Sequence, residues 1–260
     1  MVSETPDFSF IQTSAPVEKR SAVRERGRPR KLALVIPTLF EAANLQPLLL
    51  RIRSSLDLLS IDYEVIVVDD DSRDGTQAVV SALADQDRRI RLLIRTGKRG
   101  LAGAVLHGWE NTDADIIGVM DADLQHPPEL VPELWQAIVR GADVAIASRY
   151  APSGQPPKWN IFRHLISHAA IWLTWPLQPQ AARVHDPMSG FFLLRRSCIQ
   201  GVTLEPYGFK ILLDVLVRGN VRSAVEIPFT FGRRHAGKSK ANVKVAIDYF
   251  KLLARLWVSR

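Results

Sequence analysis

Short apolar runs and helix-spaced apolar positions alternate along the chain from residue 31 to about residue 147. Leu32–Ile36 is a buried-strand pattern closed by Pro37, and Leu45, Leu48, Leu49, Ile52, Leu56 and Leu59 follow at helical spacing. Tyr63–Val68 predicts a second strand that ends on three aspartates. Thr76, Val79, Val80 and Leu83 mark a helix, and Ile90–Ile94 a third strand. Leu101–Trp109 reads as helix and Asp115–Met120 as a fourth strand. Pro127 and Pro128 start a helix running to about Arg140, and Asp143–Ala147 is a fifth strand. Such alternation predicts an α/β fold with a mostly parallel central sheet covered by helices on both faces. Ligands of these sheets lie beyond the carboxyl ends of the strands. Here those ends carry Pro37, Asp69–Asp70–Asp71, Asp121 and Ser148–Arg149.

After Tyr150 the pattern changes. Residues 151–160 are rich in Pro and Gly and read as a mobile loop, and Ile161–Leu177 reads as amphipathic, with Trp172 and Trp175. Phe191–Leu194 and Val225–Phe231 predict two more strands. Val243, Ala246, Ile247, Phe250, Leu253, Ala254 and Trp257 then form one apolar stripe, with Lys244, Lys251 and Arg255 on another face. Such a helix either buries against the domain or lies in a bilayer interface. Residues 1–30 are polar and basic and read as a flexible arm. The expected division is an arm over 1–30, a catalytic domain over 31–240 and an amphipathic helix over 241–260.

Composition narrows the classes. Of 260 residues, 47% are hydrophobic and 23% charged, which excludes wholesale disorder. A single cysteine, Cys198, excludes a disulfide framework and a multi-cysteine zinc site. The formal charge of +7 resides in the two ends, and the body between them is slightly acidic. No nucleic-acid partner is therefore expected; anionic phosphates or anionic lipid suit the basic ends. No run reaches the roughly 20 apolar residues that cross a bilayer. The first ten residues lack the pattern of a secretory signal.

Two acidic motifs carry the candidate chemistry. Asp121-Ala122-Asp123-Leu124-Gln125-His126-Pro127-Pro128 follows the fourth strand directly. Aspartates two apart in extended chain point to the same side, and two hard oxygens suit Mg²⁺ or Mn²⁺ with a substrate diphosphate completing the shell. The plainer explanation is a helix start, where acids also gather. Val67-Val68-Asp69-Asp70-Asp71-Ser72 could accept hydrogen bonds from a nucleotide base or ribose, or simply form a turn. Three consecutive acids repel one another unless a cation or several donors arrive. Gly97-Lys98-Arg99-Gly100 lacks the dinucleotide and Walker spacings, so it reads as a tight turn entering a helix and argues against a nicotinamide enzyme. Arg149, Arg163, Arg234 and Lys240 are ordinary surface charges singly, but together they could hold two phosphate groups.

Taken together, Pro37-Thr38…Glu41, the Val-Asp-Asp-Asp-Ser run, the Asp-Ala-Asp segment, Ser148-Arg149-Tyr150, Asp186-Pro187-Met188-Ser189-Gly190-Phe191 and Arg234-His235-Ala236-Gly237-Lys238-Ser239-Lys240 resemble the dolichol-phosphate mannose synthases. These are inverting family-2 glycosyltransferases of the Rossmann-like GT-A fold, and the resemblance covers roughly 31–245. It implies transfer of mannose from GDP-mannose to a dolichyl or polyprenyl phosphate, with Mg²⁺ or Mn²⁺, at the cytoplasmic face of a membrane. Pro37, Leu39, Glu41, Val68 and Asp70 are implied to line the guanosine pocket. Asp121, Asp123 and Gln125, with Ala122 between, are implied to hold metal and diphosphate. Arg149, Arg163 and Ser167 match the acceptor-phosphate contacts, Arg149 shared with the donor, so that Asp123, Arg149 and Arg163 form the catalytic set. Arg234 and Lys240 match a basic pair on a loop closing over the phosphates, and Lys210 and Asp214 a segment near sugar and acceptor.

Three departures stand out. Leu39-Phe40 replaces a common Tyr-Asn pair, Arg73 replaces a frequent Pro, and the chain stops at Arg260 where one branch continues into transmembrane helices. Its amphipathic end or a small membrane-anchoring subunit is then expected to hold it peripherally at the membrane. The alternative is a UDP-sugar donor, as in a polyprenyl-phosphate glucosyltransferase; with a hydroxyl acceptor, Asp214 would be the candidate base.

Overall fold

The computed structural model describes residues 31–97, 99–152, 154, 170–205, 210–232 and 243–258. The expected arm over 1–30, most of the 151–160 loop, the first part of Ile161–Leu177, and the sites Arg163, Ser167, Arg234 and Lys240 lie outside the described residues. The elements in chain order are β1 (Lys31–Thr38), α1 (Ala42–Leu56), β2 (Asp62–Asp69), α2 (Thr76–Gln86), β3 (Ile90–Ile94), α3 (Leu101–Glu110) and β4 (Ile116–Met120). There follow α4 (Val131–Val139), β5 (Val144–Ser148), β6 (Phe191–Arg195), α5 (Ile211–Arg218), β7 (Ala224–Pro228) and α6 (Val243–Val258).

The seven strands form one sheet in the order β3-β2-β1-β4-β6-β5-β7. The pairs β1–β2, β1–β4, β2–β3 and β5–β7 are parallel, whereas β6 runs antiparallel to both β4 and β5. Alternation along β1 assigns its two faces. Leu32, Leu34 and Ile36 join α1, α2 and α4 in one core layer. Ala33 and Val35 join α3 and α5 in the other. Strand order reverses at β1, whose neighbours β2 and β4 lie to either side, so the crevice beyond β1 and β4 is the switch point.

Pro37 does not close β1 as the sequence pattern suggested. The strand continues to Thr38, with Pro37 opposite Val68. The missing N–H is tolerated because pairing with β4 has already ended at Val35–Val119. The antiparallel β6 has the larger consequence. Its first residue, Phe191, pairs with the last of β4, Met120, so Asp186–Gly190 are delivered to the carboxyl edge of the sheet. The far end of the chain packs as well. Tyr249, Leu252, Leu253 and Leu256 of α6 are buried with Ile171, Leu177, Met188 and Leu213, while Trp257 and Val258 remain exposed.

The centre of the sheet is tightly filled. A side chain at Gly118 of β4 would meet Leu193, Leu34 and the Phe192 carbonyl. Gly118→Ala is therefore expected to destabilise the protein by about 1–3 kcal/mol. The check is a lower urea midpoint at unchanged slope.

Candidate active site

The three non-glycine residues with left-handed backbone among the described residues are Phe40 (φ 59°), Asp71 (φ 55°) and Leu124 (φ 61°). Each stands just beyond the carboxyl end of a strand: β1, β2 and β4 respectively. A side chain held there costs about 1–3 kcal/mol, and such strain gathers at functional edges.

At the β2 end the acidic run is satisfied from within the chain. Asp69 is fully buried; its carboxylate accepts from Thr38 Oγ1 (3.0 Å), Ser72 N (2.8 Å), Ser72 Oγ (2.6 Å) and Gln77 Nε2 (3.0 Å). Asp70, also buried, accepts from Arg95 Nη1 (2.7 Å) and Gly100 N (2.7 Å). The donors that Asp69 and Asp70 require are thus supplied by β1, the β2–α2 connection, α2 and the segment between β3 and α3. Asp71 differs: it is half-exposed, and its carbonyl accepts from Arg99 Nη2 (2.8 Å). The Gly97–Gly100 segment is the expected turn into a helix, both glycines having positive φ. Glu41 caps the start of α1 and accepts from Asn44 Nδ2 (2.6 Å), while its own N–H donates to Thr76 Oγ1 (3.2 Å). Pro37 and Leu39 are half-buried beside it. Val68 is fully buried in the α3-side core, so its side chain faces no open pocket.

At the β4 end Asp121 is half-buried, and Ala122 and Asp123 are buried. Asp123 Oδ1 accepts from Gln125 N (3.1 Å). Asp121 lies so close over Gly190 that a Cβ there would strike its carboxylate. Ser189 fixes that glycine, donating its hydroxyl to Ala147 O (2.7 Å) and accepting from Phe191 N (3.1 Å). Gln125 makes two bonds with Gly232: its side-chain Nε2 donates to Gly232 O (3.1 Å), and its backbone carbonyl accepts from Gly232 N (2.9 Å). The amide expected to help hold a metal thus latches the residue from which the segment carrying Arg234 and Lys240 departs.

Arg149 is clamped. Its Nε and Nη2 donate to Asp186 Oδ2 (2.8 Å) and Oδ1 (2.7 Å), and its N–H to Oδ2 (3.1 Å). Burial works against the charge, but Asp186 outweighs it and raises the guanidinium pKa. Asp186 is itself positioned by Glu226, which accepts from Asp186 N (3.0 Å). Lys210 donates Nζ to Met188 O (3.0 Å). Burial, with repulsion from Arg149, lowers its pKa to about 8 against the pull of Asp121 and Asp186. His126 is buried among Phe191, Phe229 and Phe231; burial first, then Arg149, pushes its pKa down to about 3, so the ring is neutral. The structure therefore gathers Asp121, Asp186, Arg149 and Lys210 within electrostatic reach of one another. Asp214 has partners of its own. Its carboxylate accepts from Glu205 N (2.9 Å) and pairs with Arg218 (2.9 Å), and Arg218 and Arg255 both bind Glu205.

Arg95 and Asp186 are the residues to which sequence reasoning gave no role. Asp186 stood inside a quoted motif, but its partner lies 37 residues earlier and no spacing rule links them.

Asp121 and Asp123 form a two-carboxylate donor set at the switch point, and among the described residues no cluster of three or more His, Cys, Asp or Glu could hold an ion unaided. A hard cation sharing its shell with a ligand's phosphates fits that set, and the side-chain-free surface of Gly190 leaves the Asp121 carboxylate its place.

The sheet order, the acidic edge of β4 and the returning β6 define a GT-A-type fold, and residues 33–202 match the glycosyl transferase family 2 model. The chain belongs to this family. It is 42% identical to a dolichol-phosphate mannosyltransferase of Pyrococcus furiosus, over 87% of this chain and 63% of that protein's length. A dolichol-phosphate mannosyltransferase of Saccharomyces cerevisiae is 37% identical over 87% of this chain and 86% of its own. A polyprenol monophosphomannose synthase of Mycolicibacterium smegmatis is 35% identical, with 85% and 86% covered. Among solved structures, glucosyl-3-phosphoglycerate synthase from Mycobacterium tuberculosis, in complex with Mn²⁺, UDP-glucose and phosphoglyceric acid, shares the fold. Its TM-score is 0.62 at 19% identity, covering 87% of this chain and 78% of that one.

Removing Asp186 would strand a largely buried guanidinium. Asp186→Ala is expected to cost about 3–5 kcal/mol, whereas Asp186→Leu combined with Arg149→Met recovers more than half of that loss. Denaturant unfolding of both variants checks it; equal losses would show that the ion pair is not the source.

Proposed function

We propose that this chain transfers mannose from GDP-mannose to the phosphate of a dolichyl or polyprenyl lipid, with inversion at the sugar carbon. The observation that carries this reading is the identity of 35–42% with relatives named for mannosyl transfer to dolichol phosphate or for polyprenol monophosphomannose synthesis. The geometry is compatible with it. The carboxyl edge of β1 and β2 offers a nucleoside end, and the edge of β4 offers two acids for a diphosphate end.

The acceptor phosphate brings its own nucleophile. A phosphate monoester's second pKa is about 6, so the attacking oxygen is already ionised near neutral pH. That oxygen bonds to the sugar C1 as the bond from C1 to the diphosphate oxygen breaks, and the electron pair leaves with GDP. No carboxylate base is required, which agrees with Asp214 being bound in the Glu205–Arg218 network. Asp121 and Asp123 would hold Mg²⁺ or Mn²⁺, which when bound stabilises the charge on the departing diphosphate. Arg149 is oriented by Asp186 toward its site rather than free to swing, and Lys210, anchored on Met188, adds a second cation. Oriented donors of this kind stabilise developing charge without reorganising. In this proposal Arg163 and Ser167 complete the acceptor-phosphate contacts, and Arg234 and Lys240 close over the donor from the segment that follows Gly232.

No helix among the described residues is long and apolar enough to cross a membrane. Peripheral association fits the exposed apolar side chains around α6: Trp172 and Trp175, with ring centroids 6.3 Å apart, Leu173, and Trp257. Tryptophans of this kind sit at headgroup level.

The test is transfer of labelled mannose from GDP-mannose to a short polyprenyl phosphate with Mg²⁺ or Mn²⁺. Asp123→Ala and chelation are each expected to lower turnover at least a hundredfold, while Asp214→Asn leaves a correctly folded variant within severalfold of the parent. Stronger competition by UDP than by GDP would transfer the donor assignment to a UDP-sugar.

A further inference from the structure

Phe40 is the feature that the reading above does not use. Its ring is 49% exposed, and its backbone is left-handed at φ 59°, where a bulky side chain is an outlier. The conformation is enforced, because Phe40 N donates to Ser72 Oγ (2.8 Å) and Ser72 Oγ donates in turn to the buried Asp69 (2.6 Å). The guanidinium of Arg99 lies over the ring, 5.6 Å from its centroid, and is tied by Nη2 to the carbonyl of Asp71. An aromatic face and a planar cation, brought from the β1 and β3 ends, therefore meet above the carboxyl end of β2. The fold holds an exposed ring in a strained conformation at the edge where a ligand enters, with Pro37, Leu39 and Glu41 on the same turn.

We propose that Phe40 and Arg99 form the stacking clamp for the nucleobase of the sugar donor, the base inserting against the ring with the guanidinium plane closing on it. The inference rests on the nucleotide-sugar reading but not on which nucleotide is used. Every base offers a π-face, so the clamp supplies affinity, whereas discrimination falls to groups at the base edge.

The experiment titrates GDP, UDP, ADP and inorganic pyrophosphate, each with Mg²⁺, into the full chain, Phe40→Gly and Arg99→Gln. Glycine relieves the left-handed strain, so Phe40→Gly is expected to keep or raise the melting temperature while weakening the best-bound nucleoside diphosphate about tenfold. Arg99→Gln weakens it about threefold, and pyrophosphate binding is unchanged in both. In turnover KM for the donor rises and kcat holds. If UDP is the preferred ligand and Phe40→Gly weakens it, the clamp stands and the GDP assignment falls. Unchanged nucleoside diphosphate affinity in Phe40→Gly, or equal weakening of pyrophosphate, overturns the clamp. A parent chain that binds no nucleoside diphosphate overturns both readings.

Discussion

A carboxylate with no access to water is costly unless its lone pairs are filled, and Asp69 has its filled by four donors from three separate elements. That constraint organises the carboxyl edge of β1 and β2. Thr38 ties the end of β1 to the end of β2, Gln77 ties in the first turn of α2, and Ser72 passes the order on to Phe40. Asp70, one residue on, draws Arg95 and the start of α3 into the same network. The aspartate run is therefore first a fastening of three loop ends. Any ligand contact it makes is made from a frame already rigid, which lowers the entropy that binding must spend.

The carboxyl edge of β4 depends on a second device, the antiparallel strand β6. A purely parallel sheet would place only strand ends and helix starts around the switch point. Because β6 runs the other way between β4 and β5, the chain enters it at the carboxyl edge, and Asp186, Ser189 and Gly190 arrive beside Asp121 and Arg149. Asp186 consumes much of the field of Arg149, leaving an oriented guanidinium rather than a mobile one. Gly190 leaves the Asp121 carboxylate the space a Cβ would take. Acids and bases a few ångströms apart are kept from collapsing onto each other by holding each with its own partner.

The strands and helices of the first half were legible because their apolar period is unbroken, and the acidic edge followed from where strands end. The D-x-D segment and the aspartate run were found by position and residue type, which are local properties. What was not legible is partnership across the chain. Nothing in Asp69–Asp70–Asp71 says that the expected donors are Thr38, Ser72, Gln77, Arg95 and Gly100 rather than a ligand. Arg149 looked like an open phosphate contact because Asp186 is distant in sequence. Period-2 alternation along β2 turns the Val68 side chain into the α3-side core. Pro37 looked like a strand stop, and only the register with β4 shows why one more residue of pairing survives it.

The division of acids follows from these partnerships. Asp69, Asp70 and Asp186 are each nine-tenths or more buried, and each accepts hydrogen bonds from donors fixed by the fold. Asp214 is buried too, and burial raises its pKa against the opposing pull of the Glu205 amide and Arg218. Asp121 is less enclosed than these: it is half-buried, its carboxylate lies over the side-chain-free surface of Gly190, and Arg149 and Lys210 lie within its field. A half-buried carboxylate at the edge of the sheet is better placed to meet an incoming cation than one sealed in the core. Under the proposed function, that difference in enclosure assigns the diphosphate to the β4 end and the nucleoside to the β2 end.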